Sequence, residues 1–198
     1  MQLILATHNA HKTREFRELL GNEFQIGDLS GSSVAPVEET GKTFVENAVV
    51  KAVIASYDQP DALVIADDSG LEVSALGGAP GIFSARYTGP NATDPANIEK
   101  LLRELRGPKD RAARFQAVIA LARGGQLLGT FQGTVEGSIV EPPRGEQGFG
   151  YDPIFQPNGF DQTFSEMAPA LKNQISHRAK AAAALRDFLK QRLRNRED

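Results

Sequence analysis

The 198 residues include no cysteine. That excludes disulfides and thiolate metal sites, and it permits a reducing compartment without requiring one. Nor is there an excess of basic charge: 22 Lys and Arg against 25 Asp and Glu give a formal net charge of −3. Such a chain has no general field for drawing in nucleic acid, so any anion site must be built locally. A long apolar run is also missing. The amino terminus enters Met1-Gln2-Leu3-Ile4-Leu5 with neither the basic region of a signal peptide nor the length of a membrane span. No repeat, low-complexity tract or linker divides the chain. The expectation is a soluble cytoplasmic protein. Its 40% hydrophobic content and its length suit one domain with a proper core, arranged in one lobe or two.

Against that background one stretch organises the rest, Ala66-Asp67-Asp68-Ser69-Gly70. The apolar residues leading into it, Leu63, Val64, Ile65 and Ala66, are too few for a helix and read as a buried strand. Two carboxylates, a small hydroxyl and a glycine then read as the strand's end and a sharp turn, with Leu71-Glu72-Val73 resuming the strand. Ligands of open α/β sheets sit at the carboxyl ends of strands. Adjacent acids repel, so the simplest task for the pair is a hard cation, Mg2+, with phosphate oxygens as its other ligands. Solvated aspartates in an Asx turn are the plainer alternative.

Leu3 to Leu5 form a second buried strand. The polar loop Thr7-His8-Asn9-Ala10-His11-Lys12 leads from it into a helix with Phe16, Leu19 and Leu20 on one face, closed by Gly21. Strand, polar loop and helix together present backbone amides to an anion. Asn9 can cap the helix, whereas Lys12 stands in the first turn, where the dipole disfavours a cation unless a phosphate shares the site. A Gly, Ser and Pro-rich loop, Gly27 to Pro36, precedes Glu38-Glu39-Thr40-Gly41. Thr43 and Glu46 then have capping-box spacing, predicting a helix to about Tyr57 with Phe44, Ala48 and Ala52 buried. Asn47 and Lys51, one turn apart, share another face of it and could look into a cleft. One of the two glutamates could join the aspartates on a metal, although acids near a helix start are also stabilised by the dipole alone.

Gly77-Gly78-Ala79-Pro80-Gly81 reads as a tight loop, and Arg86-Tyr87 as a candidate base or phosphate contact. Asp94-Pro95 starts a helix carrying Ile98, Leu101, Leu102 and Leu105 to Gly107-Pro108, which reads as packing without chemistry. Arg114 to Ala122 and Leu127 to Phe131 form a hairpin across Gly124-Gly125, and Thr134 to Val140 a further strand. Antiparallel strands in this half and strand–helix–strand units in the first half predict a mixed sheet. Gly148-Phe149-Gly150-Tyr151-Asp152-Pro153 could stack on a purine and bond its edge, or simply be a tight turn with buried aromatics. Lys172 precedes Ser176-His177-Arg178, which opens a terminal helix with Ala182, Leu185, Phe188 and Leu189 on its apolar face. Cations at its start suggest a ligand of negative or carbonyl character; a solvated surface helix is the alternative.

Taken in order, five blocks resemble the inosine/xanthosine triphosphate pyrophosphatases, a family acting on non-canonical purine nucleoside triphosphates. They are residues 6–12, 38–48, 66–87, 149–153 and 176–178, spread over almost the whole chain. The resemblance implies hydrolysis of inosine, deoxyinosine and xanthosine triphosphates to monophosphate and pyrophosphate, dependent on Mg2+. It implies an α/β fold: an elongated mixed β-sheet flanked by helices, two lobes around a central cleft, one pyrophosphatase domain over residues 1–198, and a homodimer. Carried over by residue, Thr7, His8, Asn9, Ala10, His11 and Lys12 hold the phosphates. Glu39 and Asp68 hold the metal, and Asp68 is the candidate proton acceptor for the attacking water. Ser69 contacts substrate, while Phe149, Gly150, Tyr151, Asp152, Lys172, His177 and Arg178 enclose base and sugar. His8 departs from the small residue usual in its loop.

The chemistry of the residues agrees. Splitting an α–β anhydride needs metal and Lys12 to neutralise charge, with a carboxylate to activate water. A carboxylate on Mg2+ is a poor base, so Asp67 or a metal-bound hydroxide stands as an alternative to Asp68. Selecting a 6-oxo purine calls for donors at the base edge, from backbone amides, Arg178 or Lys172. Two other functions compete: the septum-associated nucleotide pyrophosphatases, acting on pyrimidine or modified triphosphates, and a sensor that binds triphosphate without hydrolysis. The Phe149 loop and Ser176-His177-Arg178 argue against the first, and Asp67, Asp68, Glu39 and Lys12 together argue against the second.

Overall fold

The computed structural model describes residues 2–29, 37–107 and 110–194. Six strands form one sheet: β1 (Gln2–Leu5), β2 (Gln25–Asp28), β3 (Leu63–Val73), β4 (Ala112–Arg123), β5 (Gln126–Ile139) and β6 (Phe155–Pro157), in the order β2-β1-β3-β4-β5-β6. β1 runs parallel to β2 and β3, with Leu3 opposite Leu63, and β5 pairs antiparallel with β6. β4 and β5 are sheet neighbours joined only by Gly124-Gly125, which forces them antiparallel. The sheet is therefore mixed, and with its flanking helices the fold is α/β, as expected.

The helices begin where their caps place them. α1 (Ala10–Leu20) is capped by Asn9, whose side chain accepts from the amides of His11 and Lys12. α2 (Phe44–Tyr57) is capped by Thr43, accepting from Glu46 N; the Glu46 carboxylate returns to Lys42 N at 2.6 Å. Thr93 caps α3 (Asp94–Glu104), so Pro95 falls in its first turn. α4 (Pro169–Ile175) and α5 (His177–Arg194) are separated only by Ser176. Among the described residues, no helix is long and apolar enough to cross a membrane.

Three expectations are corrected. β3 does not end at Ala66: it runs eleven residues through Asp67, Asp68, Ser69 and Gly70, all buried or half-buried, and Gly70 makes no turn. Leu127 to Phe131 and Thr134 to Val140 are one strand, β5, which stops at Ile139. Gly27 belongs to β2, a short strand at the sheet edge, and not to a loop; Ser30 to Pro36 lie outside the described residues.

The chain divides into two compact units. The first comprises Met1–Asp68, Ala117–Gly133 and Arg178–Asp198; the second comprises Ser69–Gln116 and Thr134–His177. In the first unit the strands are covered on both faces, so Ala117 to Ala122 are buried without alternation. Leu3, Leu5, Ile65, Ile119 and Leu121 pack with Phe16 and Leu20 of α1 and Leu185 and Leu189 of α5. Ile4 and Val64, of opposite parity, pack with Ala55 of α2. The core of the second unit gathers Leu71, Val73, Phe115, Val135 and Ile139 with Ile98 and Leu101 of α3, with Leu105 just after it, and with Phe155 and Phe164.

Candidate active site

The parity of β3 continues into its acids. Asp67 follows Ile65 toward α1 and α5, and Asp68 follows Val64 and Ala66 toward α2. The Asp67 carboxylate lies 2.8 Å from Lys12 Nζ and 3.4 Å from Arg178 Nε. Arg178 also reaches Glu15 of α1 at 3.0 Å. The Asp68 carboxylate accepts from Lys51 Nζ at 2.8 Å and from Asn47 Nδ2 at 3.2 Å. Lys51 donates further to Glu39 at 2.9 Å and to the Asp67 carbonyl at 2.9 Å. The two acids therefore do not share one site. Glu39 and Asp68 share an ammonium, and Asp67 has cations of its own.

Local sequence explains each placement. Asn47 and Lys51 stand one turn apart on a helix whose other inward positions are mostly apolar, Phe44, Ala48, Ala52 and Ala55, so both meet β3. Glu39 is brought in by the turn at Gly41, whose amide donates to Asn47 Oδ1 at 2.8 Å. A Cβ on Gly41 would sit 2.7 Å from that oxygen, so only glycine allows the approach. Glu38, its neighbour, is exposed.

The electrostatics differ between the acids. Burial pulls Asp67 upward, but Lys12 and Arg178 outweigh it and hold its carboxyl well below the usual carboxylate range. Asp68 is raised by burial, partly offset by Lys51 and reinforced by Glu39. Lys51 loses by burial and gains more from Asp68 and Glu39, so its ammonium is held above the usual lysine value.

The Thr7 to Lys12 loop precedes α1 directly. Thr7 Oγ1 accepts from Asn9 N at 3.1 Å, and Asn9 Oδ1 from His11 N at 2.9 Å. His8, Asn9, Ala10 and His11 are exposed, and Lys12 is half-buried. A positive helix end with exposed residues around it and an ammonium in its first turn suits an anion.

In the second unit, Ser69 is half-buried on β3. Asp152 is buried, accepting from Lys172 Nζ at 2.7 Å and from Phe149 N at 3.0 Å. Gly148 is required here: its φ is +80°, and a Cβ would lie 2.1 Å from the Asp152 carboxylate. The Lys172 ammonium stands 5.6 Å from the centre of the half-buried Phe149 ring. His177 is buried and stacks on Phe115 with centroids 4.7 Å apart. Tyr151 takes the plainer of its two readings, with its ring in the core and its hydroxyl donating to the Ser84 carbonyl at 3.0 Å. Tyr87 is committed within the protein: its hydroxyl bonds Glu104, and the Lys100 ammonium lies 4.0 Å over its ring.

Sequence reasoning left several residues without a role. Lys51 and Asn47 carried a signal, polar side chains at i and i+4 on an apolar helix. Glu15 and Phe115 carried none. Arg178, expected at the base, has Asp67 and Glu15 as partners in the first unit.

Fold and site together define an α/β protein with a mixed sheet, whose central strand holds two oppositely directed acids among lysines beside a helix amino terminus. The chain belongs to the Ham1 family, whose profile matches residues 3–188. It is 47% identical over 194 residues to the dITP/XTP pyrophosphatase of Bacillus licheniformis, covering 96% of this chain and 98% of that one. The structure is similar to the Ham1 protein of Staphylococcus aureus, with a TM-score of 0.86 and 42% identity over 97% of this chain and 100% of that one. A HAM1 protein from Coxiella burnetii gives a TM-score of 0.87 and 43% identity over 96% and 99%.

Proposed function

We propose that the chain hydrolyses inosine, deoxyinosine and xanthosine triphosphates to their monophosphates and pyrophosphate, removing non-canonical purines from the nucleotide pool. The observation that carries this is the Glu39–Lys51–Asp68 cluster, with the Asp67–Lys12 pair on the other face of the same strand. The relatives named dITP/XTP pyrophosphatases supply the substrate class.

Residues 7–12 and the start of α1 hold the phosphates, with Lys12 and Lys51 offsetting their charge. Asp68 accepts the proton of the attacking water: burial and Glu39 raise its carboxyl, which counters the loss of basicity that a metal ligand would suffer. Asp67 is the weaker base, because Lys12 and Arg178 hold its carboxyl well below the usual carboxylate range. Glu39 and Asp68 would hold Mg2+. The donors fit a hard cation: two carboxylates and the Asp67 carbonyl already surround one ammonium. When bound, Mg2+ supplies charge neutralisation on the phosphates.

Phe149, Gly150, Tyr151, Asp152, Lys172 and His177 make the base end, with Phe149 offering a ring face and Tyr151 acting from the core behind it. Arg178 reaches the base edge from its anchorage on Asp67 and Glu15, and Ser69 contacts substrate. The reading further takes residues 1–198 as one pyrophosphatase domain and the protein as a cytoplasmic homodimer; these last points rest on the family resemblance. Incubating the protein with Mg2+ and inosine triphosphate and assaying pyrophosphate tests the proposal. Binding without pyrophosphate release would leave a nucleotide sensor in its place.

A further inference from the structure

α3 looks from its sequence like packing alone, and its apolar face does pack, through Ile98 and Leu101 with Leu105 at its end. Two of its polar residues do something packing does not require. Asp94, exposed at the first position of α3, accepts from Gly150 N at 2.6 Å, a charge-assisted bond to a loop 56 residues away. Asn97, three positions on and therefore on the same side of the helix, is buried. Its Nδ2 donates to the Ser84 carbonyl at 3.3 Å, the oxygen that also receives the Tyr151 hydroxyl. Its Oδ1 accepts from the amide and hydroxyl of Thr88, both at 2.9 Å. Asn97 thus has fixed partners on each side, and Ser84 is locked by its own hydroxyl to Leu71 N at 2.9 Å. α3 holds the loop directly at Gly150 and through Ser84 at Tyr151.

Gly150 has a φ of +62°, and no atom lies within 4 Å of where its Cβ would be. Space therefore does not demand the glycine. The left-handed backbone does, and the Asp94 bond fixes the direction of that residue's amide. With Phe149 N on Asp152 and Gly150 N on Asp94, both amides are directed by carboxylates.

We propose that Asp94, backed by Asn97, is a positioning residue that sets the purine preference of the 149–152 loop. This rests on the reading that the loop receives the base. A base edge is read by donors and acceptors whose placement must hold to fractions of an ångström, so a loop released at Gly150 loses discrimination before it loses chemistry.

The test is the ratio of kcat/KM for inosine over adenosine triphosphate in wild type, Asp94→Ala, Asp94→Asn and, as a control at another exposed position of the same helix, Glu99→Ala. Asp94→Ala lowers the ratio roughly tenfold, through KM for inosine triphosphate more than through kcat. Asp94→Asn, which keeps an acceptor oxygen, recovers most of it, and Glu99→Ala matches wild type. An unchanged ratio in Asp94→Ala, whatever its melting temperature, makes Asp94 a helix-end acid only and overturns the inference. Wild type that releases no pyrophosphate from inosine triphosphate instead overturns the reading beneath it, and the inference with it.

Discussion

Asp67 and Asp68 are consecutive in the chain and lie on opposite faces of β3. One meets Lys12 and Arg178, the other Lys51 and Asn47. The pleat of a strand is sufficient cause. It places the strand itself between two like charges and gives each its own counter-ions, which makes burying both tolerable. The two residues should therefore fail in different ways when substituted.

Asp68→Asn keeps the size and the acceptor oxygen but removes the charge and the base. Pyrophosphate release falls well beyond tenfold while thermal melting changes little. A variant retaining more than about a tenth of the wild-type rate, a barrier change under ~1.4 kcal/mol, would move the proton acceptor elsewhere.

Asp67→Asn leaves the buried Arg178 and the half-buried Lys12 short of a partner. Removing one member of a buried ion pair costs on the order of 3 kcal/mol, and urea unfolding at neutral pH measures it. Stability equal to wild type would show that Glu15 alone satisfies Arg178.

The acid limb of stability carries the same signature. The folded Asp67 carboxyl sits below its unfolded value, so the unfolded chain takes up the proton first. Its contribution is complete above the ordinary carboxylate range, near pH 4, and is lost progressively as pH falls below it. Asp68 runs the opposite way: its folded value is raised, so its contribution declines as pH rises through the carboxylate range. Unfolding free energies from pH 3 to 6 should lose part of their acid slope in Asp67→Asn. In Asp68→Asn the slope should steepen.

Arg178→Ala should lower the inosine-to-adenosine ratio of kcat/KM by roughly tenfold, one donor to the base edge being worth about 1–3 kcal/mol. It should also lower the melting temperature, since Asp67 and Glu15 lose a partner. Lys12→Ala should slow both nucleotides by similar factors. If the ratio instead holds in Arg178→Ala and falls in Lys12→Ala, the two ends of the substrate are assigned in reverse.

Gly148→Ala forces a side chain into a left-handed backbone and against the Asp152 carboxylate. The cost is about 1–3 kcal/mol, with a rise in KM for inosine triphosphate as Asp152 leaves Lys172. Unaltered KM would show that the Asp152–Lys172 pair does not shape the base end.

Much of this was legible in the chain. Asn9, Thr43 and the Asp94-Pro95 start announce their helices by capping chemistry, and short apolar runs announce β1 and the first half of β3. The continuation of β3 was not legible, because Asp-Asp-Ser-Gly has the composition of a turn. It remains a strand because Lys12, Lys51 and Arg178 come from distant segments to satisfy its acids. β2 and β6 are the sheet's edges, four and three residues long, specified by a partner strand more than by their own residues. Tyr151 has one residue type for two roles, and only the fold decides between core and ligand face.

A last consequence concerns length. Because sidedness on β3 is counted residue by residue, deleting one position between Leu63 and Ala66 would turn Asp68 toward α1 and α5, and Asp67 toward α2. Ala66 would change sides relative to Leu63 as well, so no compensating point substitution could restore the arrangement. Sequence drift can recolour this strand one residue at a time, but insertions and deletions must fall outside it, as in the turn over residues 58–62 that feeds it. The spacing from Leu63 to Asp68 should prove more invariant among descendants of this chain than most of the residues that fill it.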